Sequence, residues 1–127
     1  MDQIIAYVDG KRMGTPAVIA GDFNTGPAVG DSIAADLPEN FAKFEAAGWT
    51  DVSRESGAPR CTWCSENPLS TSGIADTMLD HIMFKNATAS DYARILDAPL
   101  EITKEDGTAL TVRLSDHYGL RATLSWD

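Results

Sequence analysis

The C-terminal segment has the most regular pattern in the sequence, because apolar and polar residues alternate through residues 118–126. A period of two is typical of a β-strand with one face against a core and the other in water. The segment is therefore predicted to be a half-buried strand, which needs a sheet to pair with and a layer to cover it. Its apolar side carries Tyr118, Leu120, Ala122, Leu124 and Trp126.

Other segments supply the remaining elements. Residues 18–20 are predicted to form a buried strand, and "WTDVS", "CTW", "TMLDHIMFKN" and "ARIL" are predicted to be extended. Residues 4–12 have helical spacing with basic residues at the end, and "LPENFAKFEAAG" places Phe41, Phe44 and Ala47 on one helical face. The predicted fold class is α/β (α+β), a mixed β-sheet with helices on one face.

Length and charge limit the function. The 127 residues fit one domain, residues 1–127, able to bury about two-thirds of its unfolded surface. Ten basic against nineteen acidic residues give a net charge of −9, and the basic residues are scattered. Because phosphate contacts need clustered Lys and Arg, this argues against electrostatic wrapping of nucleic acid. A phosphate substrate that is bound through a metal ion remains compatible with this charge.

The sequence carries no visible transmembrane segment or signal peptide, and it leaves localisation unknown.

The two cysteines, Cys61 and Cys64, lie three apart in "RCTWCSEN". With only two histidines in the chain, a closed four-ligand zinc site is not expected. A redox pair and a local disulfide stay open, and two half-buried thiols flanking Trp63 are the interpretation that the sequence favours.

A predicted strand runs into two polar residues, Asp22 and Asn24, within "GDFN". A period of two points both side chains to one face and Phe23 to the other. Gly21 and Gly26 allow a small anionic ligand to approach the backbone. An Asx-turn that only closes the strand is equally compatible with this stretch.

Two further stretches place polar residues at strand ends. "MLDHIMF" directs Asp80 toward a core, so its carboxylate needs a partner. "LSDHYGL" puts Asp116 and His117 directly before the last strand, and a hydrogen bond from one ring nitrogen of His117 to Asp80 would leave the other nitrogen for a substrate. His81 is interpreted as a polar residue on the opposite face of its strand. A Ser-His-Asp relay is excluded, because residues 115–117 are consecutive and no G-x-S-x-G motif is present.

With "GDFN", "LDHI" and "SDH" in this order and spacing, the chain resembles the C-terminal half of the endonuclease/exonuclease/phosphatase superfamily of metal-dependent phosphoesterases. The resemblance covers nearly the whole chain. "TWCSENPL", "LDHIMFK" and "RLSDHYGLRATLSW" are most similar to the neutral sphingomyelinase branch.

The resemblance implies a role for each matched residue. Asp22 would position or deprotonate the attacking water, and Asn24 would hold a phosphoryl oxygen. Asp116 would help to hold Mg²⁺ or Mn²⁺, directly or through water. His117, oriented by Asp80, would donate to the phosphoryl oxygens as charge develops in an in-line displacement. The substrate is a phosphoester, with small molecule, lipid headgroup and nucleic acid left open.

The family also carries a principal metal-ligand Glu, an Asn before it and a further His or Tyr in an N-terminal half that has no counterpart here. The complete fold is a four-layer α/β/β/α sandwich, of which this chain would form half. We therefore expect weak metal binding and little or no activity from the chain alone. The alternative function is a catalytically silent half-domain that acts as a binding or assembly module.

A lost second sheet would leave an apolar face in water, including Ile82 and Phe84. A soluble monomer rarely exposes such a patch beyond a few hundred Å². The expected solution is a two-fold homodimer through the inner sheet face.

Overall fold

The computed structural model describes residues 1–57, 59–70 and 73–126. No helix in these ranges is long and apolar enough to cross a membrane. The elements, in chain order, are α1 (Asp2–Arg12), β1 (Ala17–Asp22), α2 (Pro38–Ala46), β2 (Thr50–Asp51), α3 (Val52–Glu55), β3 (Asp80–Lys85), β4 (Thr88–Ile95), β5 (Leu100–Thr103), β6 (Ala109–Val112) and β7 (Gly119–Ser125).

The main sheet has the strand order β1-β3-β2. The predicted helical connection between two strands is present, since α2 joins β1 to β2, but β3 lies between them and runs antiparallel to both. The α/β fold class is confirmed, and every pairing between named strands is antiparallel. Parallel pairing in the described ranges is limited to the isolated bridge of Ala34 with Thr77. The inserted β3 explains this, because it separates the two strands that the crossover would have made neighbours.

Both predicted helices pack on one face of this sheet. The backbone leaves α1 through Met13 and Gly14, both in left-handed conformation with φ of 47° and 85°. The second helix begins with Pro38, whose fixed φ suits a first helical turn. Burial of a phenylalanine side chain stabilises the fold by about 2 to 3 kcal/mol, and α2 buries two. The resulting core contains Ile5, Ile19, Phe41, Phe44, Trp49 and Met83.

The alternation of the last segment is confirmed in β7. Leu120, Ala122 and Leu124 are half-buried, and the residues between them are exposed. β7 pairs with β4, whose register shifts between Ser90 and Ala93. The hairpin of β5 and β6 was not predicted from the sequence, although its turn contains the Asp-Gly pair that such turns favour.

The sheet face opposite the helices is covered only in part. Phe84 is 5% exposed, so the expectation that it lies in water is wrong; β3 contacts both α3 and β7. Val18, predicted to be buried, is 45% exposed because it points away from the helices, and Ile82 is half-buried. Trp126, at 62% exposure, lines the same small pocket as Val18. The apolar surface in water is therefore smaller than expected.

Two short segments also differ from prediction. "WTDVS" is extended only in β2, because the side chain of Asp51 accepts a hydrogen bond from the backbone N–H of Ser53 (2.6 Å) and caps α3. The "CTW" segment forms isolated bridges, from Trp63 to Thr77 and to His117, and no strand.

The cysteines form a disulfide between Cys61 and Cys64, so the interpretation as two thiols is wrong. Both are buried, and they cluster with Tyr118. The guanidinium of Arg94 lies 3.4 Å and 3.2 Å from the two sulfurs and stacks over the Tyr118 ring. The disulfide therefore packs against Tyr118, the residue that follows His117.

A buried cation links the first helix to the sheet. Lys85 is 8% exposed, and its Nζ lies 2.8 Å and 2.9 Å from the two carboxylate oxygens of Asp9. Hydrogen bonding from Lys85, assisted by Arg12, holds the pKa of Asp9 below its ordinary value. Folding therefore favours the ionised form of this carboxyl.

The Asp9 ion pair predicts a pH-dependent stability. Asp9→Asn should lower the free energy of unfolding at pH 7 by about 2 kcal/mol, because it removes the negative charge and one of the two acceptor oxygens that face a buried ammonium. Since the folded pKa is the lower one, the wild-type contribution is present above the unfolded pKa of about 3.9 and is lost as pH falls through the folded pKa. Urea unfolding at a series of pH values should show the two curves converging in acid. A difference that stays constant with pH would contradict the assignment.

Candidate functional site

The first part of the candidate site lies where β1 ends. Asp22 accepts the backbone N–H of Asn24 on Oδ1 (2.9 Å), and Asn24 adopts a left-handed conformation with φ of 49°. The Asx-turn considered from the sequence is therefore present. It also brings the side-chain amide nitrogen of Asn24 to 3.4 Å from Asp22 Oδ2. The Asx-turn and the convergence of the two polar side chains are therefore both present. Both residues are exposed and can reach a ligand.

The second part joins β3 to the loop before β7. Asp80 lies opposite Asp22 in the antiparallel register, and its Oδ2 is 2.7 Å from Nδ1 of His117. The structure thus contains the contact between Asp80 and His117 that the sequence suggested. The ring of Trp63 packs edge-on against His117, with centroids 4.8 Å apart. A carboxylate on one side and an aromatic ring on another fix the orientation of the imidazole.

Three of these side chains form a candidate cation site. Asp22, Asp80 and His117 each offer a ligand atom, and these atoms lie within 4.8 Å of one another. Asp80 and His117 also bind each other, which reduces the number of ligand atoms left for an ion. A site with so few ligand atoms suits a hard divalent cation that keeps several water ligands, such as Mg²⁺. The residues fit such an ion with weak affinity.

Asp116 is placed differently from the other predicted site residues. Among the described residues, it is not part of the group whose ligand atoms converge. Its Oδ1 is 3.3 Å from the hydroxyl of Ser115, and its backbone oxygen accepts the side-chain amide of Asn67 at 3.2 Å. Its role as a metal ligand therefore stays a prediction.

An open pocket of about 410 Å³ adjoins the polar cluster. Asn24 and His117 line one part of it, and Trp63, Ile74 and Leu79 line another. A ligand could therefore place an anionic group against the amide and the imidazole while an apolar or ring-shaped part contacts the tryptophan. This arrangement suits a small ligand that has both parts better than a bare ion.

Two buried polar side chains that hold the site together were missed from the sequence. The hydroxyl of Thr62 accepts the backbone N–H groups of Leu79 (3.0 Å) and Asp80 (3.1 Å). Its carbonyl accepts the N–H of Tyr118 at 2.8 Å, so Thr62 links both strand ends. Asn67 donates to the backbone oxygens of Ser115 and Asp116. Their targets are backbone groups, which leave no pattern in the sequence.

His81 lies on the opposite face of β3 from Asp80, as interpreted, but it is 1% exposed and not a surface residue. Its two ring nitrogens contact Asp51 and the backbone of Thr25. Because an unpaired buried imidazole is rare, a prediction that His81 is buried would also have predicted a hydrogen-bond partner for it.

Known proteins share the family and the fold of this chain. The family model described as Endonuclease/Exonuclease/phosphatase family matches residues 2–117. No curated protein matches the chain. Two solved structures from Bacteroides thetaiotaomicron are similar in fold: an endonuclease/exonuclease/phosphatase family protein (TM-score 0.66) and a mannosyl-6-phosphatase (TM-score 0.65), each 18% identical to the chain. The matches cover 99% and 98% of this chain but 42% and 43% of those chains, so it spans about two-fifths of their length.

The Thr62 hydroxyl yields a testable prediction about the site's framework. Thr62→Val keeps the shape of the side chain but leaves two buried N–H groups without an acceptor, which should lower the free energy of unfolding by about 1 to 3 kcal/mol. Hydrogen exchange at the Leu79 and Asp80 amides should accelerate more than at Met83. Thr62→Ser keeps the hydroxyl and serves as the matched control. Equal exchange rates in the two variants would contradict the role of the hydroxyl.

Proposed function

Because this chain belongs to the endonuclease/exonuclease/phosphatase family, we propose that it carries part of the active site of a divalent-metal-dependent phosphoesterase. The reaction is hydrolysis of a phosphodiester or phosphomonoester by in-line attack of water. The observation that carries the proposal is the hydrogen bond between His117 and Asp80, with Asp22 and Asn24 at the same strand ends.

His117 and Asn24 act on the phosphoryl group. With Nδ1 directed at the Asp80 carboxylate, Nε2 remains for a phosphoryl oxygen, and the ring donates to both groups when each nitrogen carries a hydrogen. The Asn24 amide donates to a second phosphoryl oxygen. Donors fixed in advance stabilise the charge that develops in the transition state at little reorganisation cost.

Asp22 acts on the water. One of its oxygens is held by the Asn24 backbone, so the carboxylate has a fixed orientation beside the phosphoryl group. It positions the nucleophile for in-line attack and accepts its proton. Asp80 remains the positioning residue for His117.

The proposed cofactor is Mg²⁺ or Mn²⁺. Asp116 would help to hold it, directly or through water, and a bound divalent ion would neutralise charge on the phosphate and the leaving oxygen. Because few protein ligands are free, we expect affinity for the chain alone in the millimolar range or weaker, about 4 kcal/mol or less.

The substrate class is proposed as a small phosphoester, on the basis of the pocket beside Asn24 and His117. The mannosyl-6-phosphatase that shares the fold suggests a sugar phosphate, and the sequence resemblance to neutral sphingomyelinases suggests a phosphocholine diester. Assays with a hexose 6-phosphate, sphingomyelin, a bis-phosphodiester and DNA side by side would rank these. A catalytically silent module would act on none of them.

The catalytic proposal predicts separate effects for four variants, measured in the longest protein that contains this chain. His117→Ala and Asp22→Ala should each lower kcat/KM about 100-fold or more, because they remove a transition-state donor and the proton acceptor. Asp80→Asn should cost less, since the imidazole stays but is held less firmly. Glu105→Gln, an exposed carboxylate in the turn after β5, is the control and should leave activity unchanged. Near-normal activity of His117→Ala would overturn the proposed site.

The homodimer is the second proposal for this chain. Val18 and Trp126 expose apolar surface on the sheet side that lacks a helix layer, although Phe84 is already covered. A second copy could cover this surface by sheet-on-sheet packing. Light scattering at high micromolar concentration should give twice the mass of one chain, and Val18→Lys should shift it toward one chain. A monomer in the wild type would refute the dimer.

A further inference from the structure

A buried aspartate and histidine lie beneath the candidate site and take no part in the proposed chemistry. Asp51 is 3% exposed and His81 is 1% exposed. Nδ1 of His81 is 2.5 Å from Asp51 Oδ2, while Asp51 Oδ1 accepts the backbone N–H of Ser53. The carboxylate is therefore fixed by α3, and it fixes the ring in turn.

The other ring nitrogen reaches the loop that follows β1. Nε2 of His81 lies 2.7 Å from the backbone oxygen of Thr25. A carbonyl oxygen only accepts hydrogen bonds, so Nε2 must carry the hydrogen and donate it. Thr25 directly follows Asn24. This bond therefore holds the backbone one residue after the side chain proposed to bind the phosphoryl group.

The same loop is packed too closely to move freely around this bond. Thr25 is fully buried, and its hydroxyl donates to the backbone oxygens of Asp36 and Leu37. A side-chain carbon added at Gly26 would lie 2.0 Å from the backbone oxygen of Met78 and 3.5 Å from His81 Nε2. The absence of a side chain at Gly26 is what allows the loop to lie against the backbone of Met78, beside the histidine.

Aromatic rings shield the bond from water. The ring of Phe41 lies 4.9 Å from that of His81, and Phe23 stacks on it at 6.1 Å. A hydrogen bond in such a dry environment is stronger than an exposed one, and its loss is correspondingly costly. Asn24, in contrast, is exposed, and its backbone N–H and side-chain amide both contact Asp22, which is itself exposed. Its position thus depends on the buried neighbour.

We propose that His81 is a positioning residue that fixes Asn24 for the phosphoryl group through its hydrogen bond to the Thr25 backbone. The inference rests on the proposed function of Asn24. Adjacent residues of β3 then secure both phosphoryl donors from opposite faces of the sheet: Asp80 orients His117, and His81 fixes the loop of Asn24. Asp51 directs Nε2 of His81 toward Thr25 by occupying Nδ1.

Two substitutions at the same position separate the two hydrogen bonds of the ring. In His81→Asn, the amide nitrogen takes the place of Nδ1, so the Asp51 contact can persist while Thr25 is out of reach. In His81→Gln, the amide nitrogen takes the place of Nε2 and can still donate to Thr25. Both variants remove one buried hydrogen bond, and a purely structural role predicts similar effects from both.

The measurement is titration of the isotope-labelled chain with inorganic phosphate, followed by NMR at the Asn24 side-chain amide and the His117 ring. We expect His81→Asn to weaken phosphate binding about tenfold, as loss of one buried hydrogen bond would, and His81→Gln to stay within about twofold of the wild type. Without phosphate, the Asn24 backbone amide should gain mobility in His81→Asn only. Equal weakening in both variants, or none in His81→Asn, would overturn the inference.

The test also separates this inference from the proposed function. If phosphate shifts neither Asn24 nor His117 in the wild type, the proposed function fails, while the mobility of the Asn24 amide still decides the role of His81. If His81→Asn does not fold, Asp51→Asn decides instead, because its amide can donate to Nδ1 and leave Nε2–H on Thr25. Asp51→Asn should keep an Nε2 proton protected from exchange, with phosphate affinity unchanged. An unprotonated Nε2 in the wild type would contradict the inference.

Discussion

The antiparallel register of β1 and β3 determines where the polar groups that these two strands contribute to the site lie. Asp22 pairs with Asp80, and Gly21 pairs with His81. Because side chains alternate across a strand, a slip of one residue would send Asp80 into the helix layer and His81 toward the open face. The apolar residues of the helix-covered face, such as Ile19 and Met83, oppose such a slip because it would expose them. The core that stabilises the sheet therefore also sets the geometry of the site.

The parts of the molecule that could be predicted from the sequence are those that local patterns determine. Period-two alternation is a local property, so β7 and the opposing faces of Asp80 and His81 were predictable. The three short motifs at strand ends gave the meeting of Asp80 with His117. The dependence on distant partners was not predictable: Asp51 lies 30 residues from His81, and the acceptor in Thr25 is a backbone oxygen. The disulfide was left open because spacing alone does not distinguish it from two thiols.

Burial of the sheet's second face was also outside the reach of pattern analysis. Residues 18–20 form an apolar run, yet only Ile19 is buried, and Phe84 is covered where exposure was expected. Short apolar runs indicate what a strand could bury and not which neighbour covers it. The chain spans about two-fifths of the length of the similar solved structures. Its uncovered sheet face could therefore pack against a further layer of protein.

The central claim is that Asn24 and His117 form one phosphoryl-binding site. A crystal of the chain soaked in tungstate tests it most directly, because tungstate is a tetrahedral oxyanion that is located by its anomalous scattering. The account predicts one tungstate with oxygens about 3 Å from the Asn24 amide nitrogen and from Nε2 of His117, with Nδ1 still on Asp80. Tungstate bound only elsewhere on the chain, or a His117 ring turned away from Asp80, would contradict it.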